Sequence, residues 1–346
     1  MKLGFLLGYS GKQIHIPIDL IKTAESLGYD SCWTAEAYGS DAVTTATWVL
    51  AQTEKIRVGT AIMQMPARTP AMTAMTSMSL AQMSNNRFIV GLGASGPQVV
   101  EGWHGVPYGK PITRTKEYIQ IMRKIMGREG PVEYDGKIYQ MPNKGEGTTG
   151  LGKPLKSILE GNPDIPIYTA SITPAGLRCA AEVADGVFPV WMDPGKYDVF
   201  ADDFNTGFEK AGGGKGLKDF DVAPFVSVAM NDDLDAAFDS LRPWLGLYIG
   251  GMGAKGKNFY NDYATRLGYG DAAEKIQDLY LSGKKAEAEA AVPKELLDEV
   301  ALVGPADRIR ERLSRWKDAG SRGEVGSMLI GAHDPAVLEL IAKEML

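Results

Sequence analysis

Residues 56–96 read IRVGTAIMQMPARTPAMTAMTSMSLAQMSNNRFIVGLGASG. Two short runs rich in β-branched residues, 56–62 and 87–92, flank a stretch, 70–84, that holds no glycine and no proline after Pro70. The flanks have the length of buried strands and the middle has the length of a helix. Thr69-Pro70 supplies the helix start, because proline suits the first helical position, and Ala71, Met75, Met78, Leu80 and Met83 follow at helical spacing. Strand, helix and strand in this order make a βαβ unit with parallel strands and a right-handed crossover. Both strands empty into loops of small or apolar residues, Ala61-Ile62-Met63-Gln64-Met65-Pro66 and Gly91-Leu92-Gly93-Ala94-Ser95-Gly96-Pro97. Ligands of parallel α/β proteins collect at such carboxyl ends, so a planar, mostly apolar ligand is expected there.

The same alternation runs outward in both directions. Strands are expected at 2–7, 31–35, 165–170, 186–190, 221–229 and 326–330, with helices between them, and Asp41 is placed to cap the helix that follows it. Eight strands alternating with helices predict an α/β protein, a (β/α)8 TIM barrel, with an open doubly wound sheet as the rival. Two decorations are expected. Asp135-Gly136 marks a hairpin before strand five, and 249–303, opening on Gly250, Gly251, Gly253 and Gly256 and then turning helical and charged, has no strand signal and forms an insertion before strand eight. No linker divides the chain, so 1–346 is expected to be one domain.

The chain has 346 residues, 44% hydrophobic, with a formal net charge of −6 and a pI near 5.3. That balance disfavours nucleic acid and anionic membranes as partners and favours small-molecule chemistry. Cys32 and Cys179 lack metal-ligand or CxxC spacing and read as core residues of a reduced, cytoplasmic protein. No secretory cleavage site follows the N-terminal apolar run, and no run of 18 apolar residues exists to span a membrane.

Gly91 to Gly96 matches GxGxxG, yet Pro97, Gly102, Gly105, Pro107 and Pro111 argue against the phosphate-binding helix a dinucleotide site needs. A loop that lets a flat ring approach backbone is the preferred reading. No metal-ligand set is present, and the three histidines, His15, His104 and His333, give little support for acid–base chemistry. Glu36, between Ala35 and Ala37 at the exit of strand two, is either a solvated loop charge or an acceptor for a ligand hydroxyl or amide. Trp33, Trp103, Trp191 and Tyr38 lie near strand ends and are candidates to wall a pocket. Among the methionines, Met63 and Met65 are the ones most suited to face a ligand rather than the core.

Gly59-Thr60-Ala61-Ile62 through Arg68-Thr69-Pro70-Ala71, Arg87 to Gly93, Ala184-Asp185-Gly186-Val187 and Val303-Gly304-Pro305-Ala306 together resemble the luciferase-like superfamily of flavin and deazaflavin oxidoreductases. The resemblance is strongest to members that use coenzyme F420, including the methylene-tetrahydromethanopterin reductases. It implies a deazaflavin ring against a bulge in strand three, with a non-proline cis peptide at Ala61–Ile62 and Gln64 beside it. It implies that Ala94, Ser95, Gly96 and Pro97 flank the ring. The cofactor's phosphate end would lie against Ala170, Ser171, Ile172 and Thr173, and against Pro189, Val190 and Trp191. The branch that oxidises glucose 6-phosphate carries an aspartate-histidine pair after strand two and a glutamate after strand four. Here those places read Glu36-Ala37 and Ala94, which points away from sugar-phosphate dehydrogenation and toward a reductase. The expected activity is hydride transfer between F420 and a small or medium organic substrate, and a homo-oligomer, a dimer, is expected by analogy with the family. Alternatives are an FMN-dependent monooxygenase and a cofactor-binding barrel without catalysis.

Overall fold

The computed structural model describes residues 1–346. The eight strands are β1 (Lys2–Gly8), β2 (Ser31–Thr34), β3 (Arg57–Thr60), β4 (Phe88–Gly93), β5 (Ile167–Ala170), β6 (Gly186–Phe188), β7 (Phe225–Met230) and β8 (Ser327–Gly331). From β1 to β6 each pairs in parallel with the next, and β8 pairs in parallel with both β7 and β1. The seam between β6 and β7 closes differently. Pro224 removes a donor from the seventh strand, so the short strand Asp221–Val222 pairs with β6 first, and Phe225 then bridges to Val190. The amides of Asp221, Ala223 and Phe225 donate across this seam to the carbonyls of Asp185, Val187 and Pro189. The sheet thereby curls into a (β/α)8 barrel.

Strands enclosed by helices are buried on both faces, which is why β2 and β4 read as continuous apolar or small runs rather than alternating ones. Trp33, Ile89, Tyr168, Phe188 and Leu329 from five strands pack as one cluster that fills the barrel interior. The Trp33 and Phe188 ring centroids are 5.0 Å apart, and a side chain on Gly59 would run into the Trp33 ring. Trp33 is therefore interior packing and walls no pocket, a correction to the sequence reading. The larger apolar core lies between sheet and helices.

Thr69 caps the helix Pro70–Met83 as expected, its hydroxyl accepting from the Met72 amide at 3.1 Å. The buried face differs from the expected one: Thr73, Ala74, Ser77, Met78 and Ala81 are buried, while Met75 and Met83 are exposed. This helix carries apolar residues all the way round, so spacing alone does not choose its inner side. Met63 and Met65 are also core, contrary to expectation.

Both decorations form. Tyr134–Asp135 and Gln140–Met141 make the antiparallel hairpin, whose turn is held by Glu117 accepting from the amides of Lys137, Ile138 and Tyr139 at 2.7, 2.9 and 3.0 Å. After the helix Leu234–Gly251, the helices Phe259–Ala264, Gly270–Leu281, Lys285–Ala290 and Lys294–Val300 fill the second. The expectation of no strand before 303 fails: Ala301–Gly304 pairs in parallel with the outer half of β7. Pro97–Gly102 also forms a short helix where none was expected, because Pro97 takes the tolerated first position.

Candidate active site at the barrel mouth

At the exit of β3 the Ala61–Ile62 peptide is cis. The Thr60 hydroxyl donates to the Gly91 carbonyl at 2.8 Å and accepts from the Gly91 amide at 2.9 Å, which locks β3 to β4 just before the turn. A side chain on Gly91 would run into the Thr60 carbonyl oxygen, and one on Gly93 would lie 2.5 Å from Cδ1 of Ile62. These two glycines make room for strand three rather than for a ring, which narrows the sequence reading of the whole loop. Ala94, Ser95, Gly96 and Pro97 are what remains half-open beyond them, with Ser95 at φ 60°.

Gln64 is buried and pairs opposite Gly93. Its amide nitrogen donates to the Ser95 hydroxyl at 3.3 Å, and its amide oxygen is hydrogen-bonded to Nε2 of His104. Sequence reasoning had Gln64 and Ser95 but not this link to His104, because nothing local joins residues that far apart. His15 and His333 are exposed, His333 lying edge-on to Phe5.

Glu36 is neither a solvated loop charge nor an open acceptor. One carboxylate oxygen accepts from the Gln64 amide at 2.7 Å and from Nη1 of Arg68 at 2.6 Å. The other accepts from the Ala42 amide at 2.9 Å and from Nη2 of Arg68 at 3.0 Å. Four donors fill a carboxylate's capacity, so Glu36 has nothing left for a ligand. Burial pulls the Arg68 guanidinium down, but hydrogen bonding and charge from Glu36, with help from Asp41, hold it above its ordinary value. The sequence role for Glu36 as a catalytic contact is thus corrected to that of a brace between the exits of β2 and β3.

At the exit of β5, Ala170 is exposed and Ser171, Ile172 and Thr173 are half-buried. Thr173 caps the helix Pro174–Val183, its hydroxyl accepting from the Gly176 amide at 3.2 Å. A side chain on Gly176 would sit 2.9 Å from both the Ser171 and the Thr173 hydroxyl oxygens. Arg266, from the insertion, donates to the carbonyls of Ile172 and Val199, each at 2.8 Å. At the exit of β6, Pro189 is buried and Val190 half-buried. Trp191 is 1% exposed and stands at φ 50° among Trp244, Tyr248, Tyr260 and Tyr263. It lies behind the surface rather than forming an open wall. Its Nε1 and the hydroxyl of Thr169 are buried without a partner.

The rim is aromatic. Tyr9, Tyr38 and Trp103 are 62%, 70% and 66% exposed, and the Tyr38 and Trp103 rings lie 6.4 Å apart. Surrounding protein raises the Tyr9 phenol, as do its neighbours Tyr248, Tyr260 and Tyr38. A side chain both walled by protein and open to solvent marks a concave mouth. A separate groove of about 720 Å³, lined by Lys116, Cys179 and Glu182 among others, lies outside the barrel and holds none of these residues. No helix is long and apolar enough to cross a membrane.

The family model described as luciferase-like monooxygenase matches residues 4–323. A protein of Mycobacterium tuberculosis that carries the name of a coenzyme F420-dependent oxidoreductase is 42% identical over 322 residues, covering 92% of this chain and 93% of that one. The 5,10-methylenetetrahydromethanopterin reductase of Archaeoglobus fulgidus is 26% identical over 332 residues, covering 94% and 93%. The solved structure of the coenzyme F420-dependent tetrahydromethanopterin reductase from Methanopyrus kandleri superposes with a TM-score of 0.78 at 22% identity, covering 99% of this chain and 97% of that one.

Proposed function

Because the chain belongs to the luciferase-like monooxygenase family, we propose that it is a coenzyme F420-dependent oxidoreductase acting on a small or medium organic substrate at the barrel mouth. The observation that carries this reading is 42% identity, across nearly the whole of both chains, to the relative named for that cofactor. When bound, the deazaflavin supplies hydride donation and acceptance at its ring.

The residues present fit such a group. Ala61, Ile62 and Gln64 offer a floor at the exit of β3, and Ala94, Ser95, Gly96 and Pro97 offer a side of small residues. Ser171 and Thr173 bring two hydroxyls over Gly176 at the start of a ten-residue helix, a suitable environment for a phosphate without basic side chains. Ala170 and Ile172 complete that loop, and Pro189, Val190 and Trp191 back it, with the unpartnered Thr169 hydroxyl and Trp191 Nε1 buried nearby on the same two strand exits. The protein's own share is orientation and exclusion of water, to which the exposed rings of Tyr38 and Trp103 contribute. Ala94 provides no acid after β4 and Glu36 is fully engaged, which supports a reductase over a sugar-phosphate dehydrogenase.

The reading includes one domain carrying the 249–303 insertion, a cytoplasmic setting supported by the unpaired, buried Cys32 and Cys179, and a homodimer supported by the exposed Trp48, Met72 and Met75. Titration of the purified apoprotein with F420 and with FMN tests the cofactor. Tight binding of F420 is expected. Tight binding of FMN alone would make the protein a flavin monooxygenase, and F420 binding without turnover of carbonyl, imine or alkene acceptors would make it a carrier.

A further inference from the structure

We infer that His104 is the acid–base group of this site, an inference that rests on the F420 reading. With the Gln64 amide nitrogen donating to Ser95, the Gln64 oxygen faces His104, and an amide oxygen can only accept. Nε2 of His104 must therefore carry the proton. In the neutral ring Nδ1 is then an unprotonated acceptor, and no protein group bonds to it, while the residue remains half-exposed at the exits of β3 and β4.

The other titratable groups at this mouth do not compete. Glu36 is filled by four donors. The Tyr9 and Tyr260 phenols are raised by burial and stay protonated at neutral pH. Glu101 lies in the short helix before His104, is exposed, and accepts from the Tyr108 amide at 3.2 Å.

With a carbonyl acceptor, F420 when bound would supply the hydride for the new C–H bond, the carbonyl π pair would move to oxygen, and the Nδ1 proton of the His104 imidazolium would pass to that oxygen. Neutral imidazole with Nε2–H remains. Alcohol oxidation runs the same transfers backward.

The competing role for His104 is to brace its loop, in which its amide donates to the Val99 carbonyl. His104→Gln separates the two, since it can still donate to Gln64 but has no basic nitrogen. Imidazole ¹⁵N resonances of the full-length wild-type protein should show the Nε2–H tautomer at His104. H104Q should bind F420 within about twofold of wild type, because general acid–base groups act on rate. Its hydride transfer to ketones should fall by about 10²–10⁴-fold, while transfer to a quaternary iminium acceptor, which needs no proton, should stay near wild type. Added imidazole should restore part of the ketone rate in His104→Ala. A Nδ1–H tautomer, an undiminished ketone rate in H104Q, or equal losses with ketone and iminium would overturn the inference. Failure of wild type to bind F420 would instead sink the cofactor reading, and this one with it.

Discussion

Gly91 and Gly96 belong to one loop and answer to different demands. The space a Cβ would take at Gly91 is filled by the Thr60 backbone, so Gly91→Ala must push β3 from β4 and should cost about 1–3 kcal/mol or more, read from urea unfolding. At Gly96 a Cβ would meet only Oε1 of Gln98 at 3.2 Å, and φ is −92°, a value any residue adopts. Gly96→Leu should therefore leave apoprotein stability within about 0.5 kcal/mol while sharply weakening F420 binding. Unchanged affinity would remove this loop from the site. Glu36 makes a third case. Glu36→Ala leaves Arg68 half-buried without its partner and strips acceptors from two amides, so a loss of about 3–5 kcal/mol is expected in the same assay. The sequence showed Glu36 as an open question because its partners, Arg68 and the Gln64 amide, arrive from the next strand exit. Residue spacing carries no trace of such a meeting.

At the scale of elements, local chemistry was legible and three-dimensional meetings were not. Asp41 and Thr69 cap the helices they were expected to cap, since a cap is made within four residues. The strand Ala301–Gly304 escaped because it is short and follows a helix directly. Between elements, Glu25 in the helix Ile18–Ser26 accepts from the amides of Glu54, Lys55 and Ile56 at 3.0, 2.6 and 2.8 Å, and so fastens that helix to the approach to β3. Burial raises the Glu25 carboxyl, but these amides and Arg87 outweigh it and hold it below its ordinary 4.5. A depressed carboxyl contributes stability that is present above its unfolded value and is lost as pH falls through its folded value. Glu25→Gln should thus lower the unfolding midpoint at pH 7 and flatten the acid decline below about pH 4.5. An acid limb parallel to wild type would show that the carboxylate does not act through these bonds. Arg266 makes a second tie, from the insertion to the loop after β5. Its loss in Arg266→Met should weaken F420 binding by about tenfold, near 1.4 kcal/mol, in a fluorescence titration.

For the whole molecule, the barrel is uneven around its ring. Between β2 and β3, four successive residues of each strand pair in register. Across the seam between β6 and β7, Pro189 and Pro224 supply no amide protons, and regular pairing is limited to Gly186 and Val187 against Asp221 and Val222. What holds this side is the helix Leu234–Gly251 together with the insertion: Trp191, just beyond β6, is packed by Trp244 and Tyr248 from that helix and by Tyr260 and Tyr263 from the insertion, and the Tyr263 hydroxyl donates to the Trp191 carbonyl at 3.2 Å. Amide exchange reports local opening, so peptides covering 186–190 and 221–226 should exchange sooner than those covering 57–60 and 88–93. Trp191→Ala removes the ring on which four others converge and should cost about 3–5 kcal/mol. If the insertion braces the seam, that substitution should speed exchange in 186–190 and 221–226 well before it affects 57–60. Uniform acceleration around the ring would mean that Trp191 contributes only to global stability and that the seam stands without it.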